Sequence, residues 1–455
     1  MPSLAAKLAT QKSPAHMLQN AQIGRYAFPI AAEFTNWIDE ARAWRDSAVL
    51  LDQSLHMTDL YVSGPDTLRL LQHLSINSYI GFGRNKAKQM ICCTAEGYLV
   101  GDAILFGLED YAVNIVGRPC VPNWVQFHAE TGNWNVKVER DERRVDAPGV
   151  ARKTYRFEVQ GPKAMQILQA VNQGGPLTTK FFTMGEITIA GCHARTLSHG
   201  MGGSEGLEIF GPAADGETVR AALIAAGATY GMRQAGARAY SIASNESGWI
   251  ASPLPAIYSS ASTAAYRDWL SDRSFEAVCS TGGSFQPEQV EDYYLTPWDL
   301  DYHRILKFDH DFIGRPALEA MQDLTHRQKV TLVWDEASVR DLIGGYHGDA
   351  LPPKLLEWPT AHYASHPYDQ VRAQGRQIGL STSCSFSPNE RSWISLAMVE
   401  PAFATPGTRV SLLWGEPDGG TTKPMVERHT QIEIHARVEG WPIDRRVRAE
   451  YRHRQ

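Results

Sequence analysis

The chain has 455 residues, of which 43% are hydrophobic and 21% charged, an ordinary composition for a globular protein. This length exceeds one compact core and favours two to four domains. The formal net charge of -6 argues against a nucleic-acid partner or an anionic membrane surface, and no apolar run approaches the roughly 20 residues of a membrane span. The N-terminal stretch lacks the apolar core of a signal peptide, which predicts a cytoplasmic protein.

The sequence shows no pattern typical of a metal site. The six cysteines lack the CxxC spacing of zinc or redox centres, and we interpret them as reduced structural thiols. The 15 histidines form no HExxH motif and no other ligand-spaced pairing with acids. We therefore predict that the protein holds no metal.

In chain order, a helix is predicted from Trp37 to Ala48. The segment "DLYVSGPDTLRLLQHLS" then predicts a strand that ends at Gly64-Pro65 and a helix with leucines on one face. Proline suits the first helical position because its φ is fixed and it has no N–H to satisfy.

The same pattern recurs a little under a hundred residues later. "RFEVQGPKAMQILQAVN" again predicts a strand, a Gly161-Pro162 turn and an apolar-faced helix. Val62 corresponds to Val159, and Leu71 corresponds to Leu168. We interpret this as an internal duplication of an α+β unit.

Strand signals dominate the remaining segments. "KQMICCTAEGYLVGDAILFGLEDYAVNIVG" predicts a β-meander with turns at Glu96-Gly97 and Glu109-Asp110. "RTLSHGMGGSEGLEIFGP" predicts a strand, a glycine-rich turn and a second strand, which gives no helix N-terminus for a phosphate. From about Thr331 the chain consists of short strands between turns, which predicts a separate barrel or sandwich.

These elements predict an α+β fold with three domains. We assign residues 1–150 to an N-terminal α+β domain, 151–330 to a second α+β domain and 331–455 to a C-terminal β-rich domain. The first two domains are related, and their boundaries can interleave along the chain.

Nucleotide motifs are missing, but another set of motifs is present. No GxGxxG, P-loop or GxSxG occurs in the required context. "GPDTLRLLQHLS", "EGYLVGDAILF", "GGSEGLEIFGP", "GARAYSIASNESGW", "FDHDFIGRPALEAM" and "STSCSFSPNERSWISLAMVEPAFATPGTRVSL" follow one another in this order. Together they resemble the folate-binding aminomethyltransferase superfamily, whose founder is the T-protein of the glycine cleavage system. The resemblance covers about residues 45–420 and implies domains arranged around a central folate channel.

Within that superfamily the chain is most similar to tetrahydrofolate-dependent O-demethylases of methoxylated aromatic acids, the vanillate and 3-O-methylgallate type. These enzymes move an aryl methyl group to N5 of tetrahydrofolate. In them a tyrosine acts at the methyl ether and a tryptophan nine residues later contacts the folate. Tyr240 and Trp249 have this spacing, in "QAGARAYSIASNESGWIASPLPAIY", whose small residues are typical of neither a strand nor a helix. The resemblance thus implies tetrahydrofolate as the cofactor, with vanillate, syringate or 3-O-methylgallate as possible methyl donors.

Four residues are candidates for binding the folate. The resemblance places the pterin-binding glutamate at Glu208, whose carboxylate can accept two neighbouring N–H groups of a pterin. Trp249 offers a flat aromatic face for the folate rings. Gln160 and Gln53 are candidates for the polar edge of the pterin.

Four further residues are candidates for the aromatic substrate. Arg118, expected at a strand end, offers a planar fork for the carboxylate, and His56 can donate to the carboxylate or to a ring hydroxyl. Tyr26 is a candidate for lining the site. Tyr240 is the predicted general acid, because an ordinary tyrosine pKa of about 10 is close to that of a phenolic leaving group. Glu246 is expected to be structural.

One departure from the family bears on the reaction. Aminomethyltransferases carry two consecutive acids on the meander strand, whereas this chain has Gly101-Asp102. Methyl transfer remains compatible with a single acid because N5 of tetrahydrofolate is already a nucleophile. The alternatives are a dimethylsulfoniopropionate demethylase, an aminomethyltransferase, or a non-catalytic folate-binding protein. No nucleic acid, membrane or obligatory protein partner is predicted.

Overall fold

The computed structural model describes residues 2–23, 28–200, 204–251 and 253–448. Its helices are α1 (Leu4–Ala9), α2 (Pro14–Gln19), α3 (Trp37–Asp46), α4 (Thr67–Leu74), α5 (Cys120–Thr131), α6 (Ala164–Val171), α7 (Gly216–Ala228), α8 (Ala237–Ser247), α9 (Ala264–Trp269), α10 (Arg315–Met321) and α11 (Glu336–Gly344). Its first strands are β1 (Val49–Asp52), β2 (Thr58–Ser63), β3 (Ala87–Cys93), β4 (Leu99–Glu109), β5 (Ala112–Gly117), β6 (Lys137–Asp141), β7 (Thr154–Gln160), β8 (Asn172–Gly174), β9 (Met184–Ile189) and β10 (Cys192–Leu197). The later strands are β11 (Gly206–Pro212), β12 (Arg233–Ala235), β13 (Thr281–Gly282), β14 (Gln328–Trp334), β15 (His366–Pro367), β16 (Asp369–Ala373), β17 (Arg376–Ser387), β18 (Ser392–Val399), β19 (Arg409–Trp414) and β20 (Ile432–Glu439).

The first sheet has five antiparallel strands in the order β3-β4-β5-β2-β6. Strands β3, β4 and β5 form the predicted meander; its first turn falls at the predicted Glu96-Gly97, and its second at Asp110-Tyr111, one residue later than predicted. Helix α5 packs on this sheet and begins two residues after Arg118. Arg118 therefore lies just beyond the end of β5, as the sequence predicts.

The second sheet has seven strands in the order β12-β1-β7-β11-β10-β9-β8. Alternate residues of β1 face opposite sides, because successive side chains of a strand point in opposite directions. Leu50 joins the core under α6 and α7, whereas Val49 and Leu51 join the core under α3 and α8. The sheet is therefore covered by helices on both faces.

The duplicated strand–turn–helix pattern is confirmed in both sheets. Strand β2 leads to α4 and strand β7 leads to α6, and the glycine between them has φ +138° at Gly64 and +129° at Gly161. A Cβ would lie 2.5 Å from Asn135 O at the first glycine and 2.8 Å from Ser47 O at the second. Both turns thus need glycine, because the positive φ strains any other residue and because a Cβ would collide with a neighbouring backbone atom. The prolines, however, lie in the turn, and each helix begins two residues later.

The two α+β units interleave along the chain. Strand β1 precedes residue 150 but belongs to the second sheet. The segment 254–318 lies before residue 330, yet its buried residues, such as Tyr258 and Tyr293, share a core with the first sheet. The limits at 150 and 330 therefore do not separate the hydrophobic cores.

The C-terminal strands form a closed barrel in the order β14-β18-β17-β16-β19-β20. The predicted C-terminal β-rich domain is confirmed as a barrel. Its first strand begins at Gln328, close to the predicted start at about Thr331. Helix α11 crosses between β14 and β15 and was not predicted. Within the described ranges, no helix is long and apolar enough to cross a membrane.

Candidate functional site

A cavity of about 1500 Å³ lies between the two sheets, helix α8 and the barrel. The first sheet contributes Asp102 and Arg118, and the second sheet contributes Glu208. The barrel contributes Lys329 and the segment 357–368. A ligand in this cavity can therefore touch all three parts of the molecule.

The segment around Tyr240 is helix α8, which corrects the expectation that its composition suits neither a strand nor a helix. Its apolar face, with Ile242 and Ala243, packs under α3. Its other face carries Tyr240 and a set of small residues that line the cavity, namely Ser241, Ser244, Asn245, Ser247 and Gly248. The small residues therefore reflect a helix that forms a cavity wall.

Glu246 fixes this helix in place. Its buried carboxylate accepts hydrogen bonds from the Trp44 indole on α3 (2.9 Å) and from Asn389 of the barrel (3.0 Å). Ser387 on β17 donates a further bond, and Arg45 lies 3.5 Å away. Glu246 thus joins α8 to both α3 and the barrel, which agrees with a structural role.

The Tyr240 side chain is buried among the predicted substrate residues. Its hydroxyl lies 3.2 Å from His56 Nε2, and its ring centroid lies 4.9 Å from that of Phe28. The Gln53 amide donates to Glu158 Oε2 (2.7 Å) and also hydrogen-bonds the Tyr240 hydroxyl. The structure therefore brings Tyr240, His56 and Gln53 together.

Burial keeps both members of the Tyr240–His56 pair uncharged. It raises the pKa of Tyr240 well above the ordinary value, and the carboxylate of Glu158 adds to the shift. Burial lowers the pKa of His56 to about 3, and the nearby positive charge of Arg118 adds to the effect. Tyr240 therefore remains a proton-bearing donor at neutral pH, and the near balance with a phenolic leaving group expected from the sequence does not hold.

Trp249 and Asp102 meet on another part of the cavity wall. Trp249 follows Gly248, which ends α8 in a left-handed conformation with φ +76°, and its side chain is 36% exposed. The indole Nε1 donates to Asp102 Oδ2 (3.2 Å), and Gln89 Nε2 donates to the same oxygen (2.8 Å). Burial raises the pKa of Asp102. The other oxygen of Asp102 is buried and has no hydrogen-bond partner within the described ranges.

Glu208 lies in a buried network of ion pairs between the two sheets. The guanidinium of Arg156 donates to Glu208 Oε1 and, with its other nitrogen, to Asp59 Oδ1 (3.0 Å). The rings of Phe106 and Phe210 lie 4.7 and 4.8 Å from the same guanidinium. Glu208 is thus held at the cavity by a rigid cation, a contact that the sequence did not reveal.

Six of the eight predicted site residues line the cavity: Gln53, His56, Arg118, Glu208, Tyr240 and Trp249. Gln160 does not, because its buried amide lies behind Gly200, where a Cβ would come within 2.8 Å of Gln160 Nε2. Tyr26 lies outside the described residues.

The sequence analysis missed several cavity residues. Lys329 on β14 has its Nζ 3.5 Å from the centroid of the Trp441 ring, and burial lowers its pKa to about 7. His362 and His366 also line the cavity. These residues lie outside the quoted motifs, whereas Asp102 lies within one of them, "EGYLVGDAILF", but had no assigned role. Across the described part of the chain, no group of three or more His, Cys, Asp and Glu residues is arranged to hold a metal ion.

Comparisons with known proteins agree with this architecture. The GCVT N-terminal domain matches residues 10–252, and the Glycine cleavage T-protein C-terminal barrel domain matches residues 356–415. The crystal structure of glycine cleavage system aminomethyltransferase T from Bartonella henselae aligns with a TM-score of 0.60 at 16% identity, covering 94% of this chain and 96% of that chain. This structural likeness establishes the fold alone.

Three relatives with named activities are similar to this chain over most of its length. A syringate O-demethylase from Sphingobium sp. is 47% identical over 95% of this chain and 94% of its own length. A sesamin methylene transferase from Sinomonas sp. is 27% identical over 88% of this chain and 91% of its own length. An aminomethyltransferase from Caldanaerobacter subterraneus is 26% identical over 87% of this chain and 88% of its own length.

Proposed function

The chain belongs to the glycine cleavage T-protein family, and on this premise we propose that it is a tetrahydrofolate-dependent O-demethylase of methoxylated aromatic acids. The methyl C–O bond breaks, a C–N bond forms at N5 of tetrahydrofolate, and the proton lost from N5 balances the one gained by the phenolate. The products are a phenol and 5-methyltetrahydrofolate. The main structural support is the buried, proton-bearing Tyr240 hydroxyl in the same cavity as Arg118, Asp102 and Glu208.

The polar groups of the cavity fit a folate. When bound, tetrahydrofolate supplies a nucleophilic nitrogen and a ring edge rich in N–H donors. Asp102 offers a buried oxygen that has no partner within the described ranges, and Glu208 offers carboxylate lone pairs beyond the one that Arg156 uses. The partly exposed indole of Trp249 offers a face for a flat ring. These residues would hold the cofactor.

Tyr240 acts at the ether oxygen in this proposal. Gln53 and, when its proton is on Nε2, His56 both donate to the tyrosine oxygen, which leaves the O–H free to point at the substrate. A hydrogen bond from this O–H stabilises the negative charge that develops as the C–O bond breaks. Burial keeps His56 uncharged at neutral pH, so it donates to Tyr240 only in the tautomer that carries the proton on Nε2.

Arg118 binds the carboxylate of the aromatic acid in this proposal. It lies at the end of β5, faces the cavity, and carries a charge that acts on His56 and on two further histidines. A guanidinium that faces the cavity favours an anionic substrate group. Syringate is the substrate named for the 47% identical relative, and vanillate and 3-O-methylgallate differ from it by one ring substituent.

An aminomethyltransferase is the second candidate, and the geometry of the meander strand weighs against it. Asp102 faces the cavity, whereas a Cβ at Gly101 would lie 2.8 Å from Cys120 Sγ on α5. A second acid therefore has no room at this position. A dimethylsulfoniopropionate demethylase would act on a sulfonium, which leaves without acid help, so its pocket would not need both Arg118 and Tyr240.

The deciding experiment incubates the purified protein with tetrahydrofolate and each candidate methyl donor, with and without EDTA. The donors are vanillate, syringate, 3-O-methylgallate, dimethylsulfoniopropionate and the glycine-cleavage partners. We expect 5-methyltetrahydrofolate only with the aromatic acids and at the same rate in EDTA. Formation with the sulfonium alone, or activity that requires added metal, would contradict the proposal.

We further propose a cytoplasmic location and no obligatory protein partner. The six cysteines are all free, which is typical of a reducing compartment. Activity of the purified chain alone in the same assay tests whether a partner is needed.

A further inference from the structure

Two histidines of the cavity have no role in the proposal above. His362 and His366 lie on the segment that leads from α11 into the barrel strand β16, more than a hundred residues from Tyr240. Both line the cavity, and in both the ring nitrogen Nε2 is buried without a hydrogen-bond partner within the described part of the chain. A buried polar atom of this kind costs free energy until a ligand supplies the missing partner.

The charge of Arg118 acts on both imidazoles, as it does on His56. Burial lowers the pKa of His362 to about 4 and that of His366 to about 3, and the charge of Arg118 contributes to both shifts. Three uncharged imidazoles therefore line the same cavity as the Arg118 guanidinium. His366 is also fixed in orientation, because its Nδ1 lies 2.9 Å from Ser365 Oγ and its ring meets the backbone of Pro253 and Ser280, which partly offsets the lowering of its pKa.

We propose that His362 and His366 bind a ring oxygen substituent of the aromatic acid other than the reacting methoxyl. A neutral imidazole nitrogen accepts a hydrogen bond from a ring hydroxyl in one tautomer and donates one to a methoxyl oxygen in the other. A charged imidazolium could only donate. The pair therefore recognises either substituent, while Arg118 binds the carboxylate. This inference rests on the proposed O-demethylase function.

The test compares three acids that differ by one oxygen each: 3-methoxybenzoate, vanillate and syringate. His362→Asn and His366→Asn each remove the outer ring nitrogen, and the asparagine at 366 keeps a polar atom near Ser365. We expect kcat/KM for vanillate or syringate, divided by that for 3-methoxybenzoate, to fall about tenfold in at least one variant. Equilibrium titration of each acid in the presence of folate should show the same change in the ratio of dissociation constants.

Two controls distinguish recognition from damage to the fold. His362→Gln and His366→Gln place an amide near the outer nitrogen and should recover part of the ratio. His347→Asn, at an exposed histidine, should leave the ratio unchanged. Equal losses of kcat/KM for all three acids, or an unchanged ratio in both asparagine variants, would overturn the role of the two histidines but leave the proposed O-demethylase function intact. If the wild-type protein binds and demethylates none of the three acids, the proposed function fails as well.

Discussion

Two ends of the cavity differ in charge although helix α8 borders both. The Tyr240 end, formed by Tyr240, His56, Gln53 and Phe28, has uncharged side chains and is largely shielded from solvent, with Tyr240 and Gln53 buried. The Asp102 end, formed by Asp102, Trp249 and Lys329, carries a carboxylate and a cation and is partly open. Tyr240 lies seven residues before the last residue of α8, roughly 10 Å of helical rise, and Trp249 lies beyond that end. In the proposed function, the C–O bond therefore breaks at the Tyr240 end, and the Asp102 end binds the charged, extended cofactor.

Removing the Tyr240 hydroxyl should have the largest effect. Tyr240→Phe keeps the ring packing but deletes the donor, so kcat should fall about 10²–10³-fold while both ligands bind nearly as before. Steady-state kinetics and ligand titrations measure the two effects. Electron-poor methoxybenzoates, whose phenolates leave more easily, should lose less. If the variant keeps more than about a tenth of wild-type kcat, Tyr240 is a packing residue and His56 becomes the next candidate.

Replacing Arg118 should separate charged from neutral substrates. Arg118→Ala should raise KM for an aromatic acid about ten- to a hundredfold, because a charge-assisted pair contributes roughly 1.5–3 kcal/mol. The matching aldehyde should be affected much less. Arg304→Ala, on the cavity wall near Lys329, is the control and should treat acid and aldehyde alike. Equal effects of Arg118→Ala on both compounds would remove Arg118 from the carboxylate site.

Changing Glu208 should weaken the cofactor more than the substrate. Glu208→Gln loses the anionic acceptor, so folate affinity should fall about tenfold while affinity for the aromatic acid changes little. Because the substitution also disturbs the buried pair with Arg156, the free energy of unfolding should fall as well. Asp59→Asn disturbs the other contact of Arg156 and is the matched control. If both variants weaken folate binding equally, Glu208 acts through the network and not through direct contact.

The dependence of the steady-state kinetics on pH should be small, and it should arise from groups at the Asp102 end of the cavity. Tyr240 and His56 stay uncharged between about pH 5 and pH 9, so saturated kcat should show no limb from this pair. Lys329, with a pKa of about 7, loses its charge as pH rises, so KM for the anionic folate should increase a few-fold above neutrality. In Lys329→Met, KM should be high and independent of pH. The contrary result would be a fall in kcat that begins below about pH 9 in the wild-type protein and is absent in Tyr240→Phe. It would show that the Tyr240 phenol ionises in this pH range.

The Lys329 pKa also makes a prediction for stability. The folded-state pKa is below the ordinary lysine value, so the unfolded state binds more protons between the two values and stability rises with pH across that window. Lys329→Met should therefore stabilise the fold more at about pH 6 than at about pH 9, as measured by denaturant unfolding. The opposite order would show that the cation is stabilised in the folded protein.

The sequence by itself determined the local elements. The two Gly-Pro turns, the meander and the start of the barrel follow from short-range patterns, because turns and alternating strands depend on neighbouring residues. The order of motifs was enough to recognise the family, and six of the residues selected from the sequence line one cavity. Glu208, Tyr240 and Trp249 lie within the quoted motifs, so their positions could be transferred without knowledge of the packing. Gln53, His56 and Arg118 lie outside those motifs and were selected by residue type and by position near a strand.

Only the tertiary structure decided the charge states and the remaining walls of the site. Burial sets the pKa of Tyr240 and His56, and burial depends on elements distant in the chain. The contact of Arg156 with Glu208 joins β7 to β11, and His362 and His366 reach the cavity from the barrel segment. Helix α8 was misread because its small residues face a cavity that only the other elements create. A composition records which side chains are present, whereas their solvation and partners are decided by long-range packing.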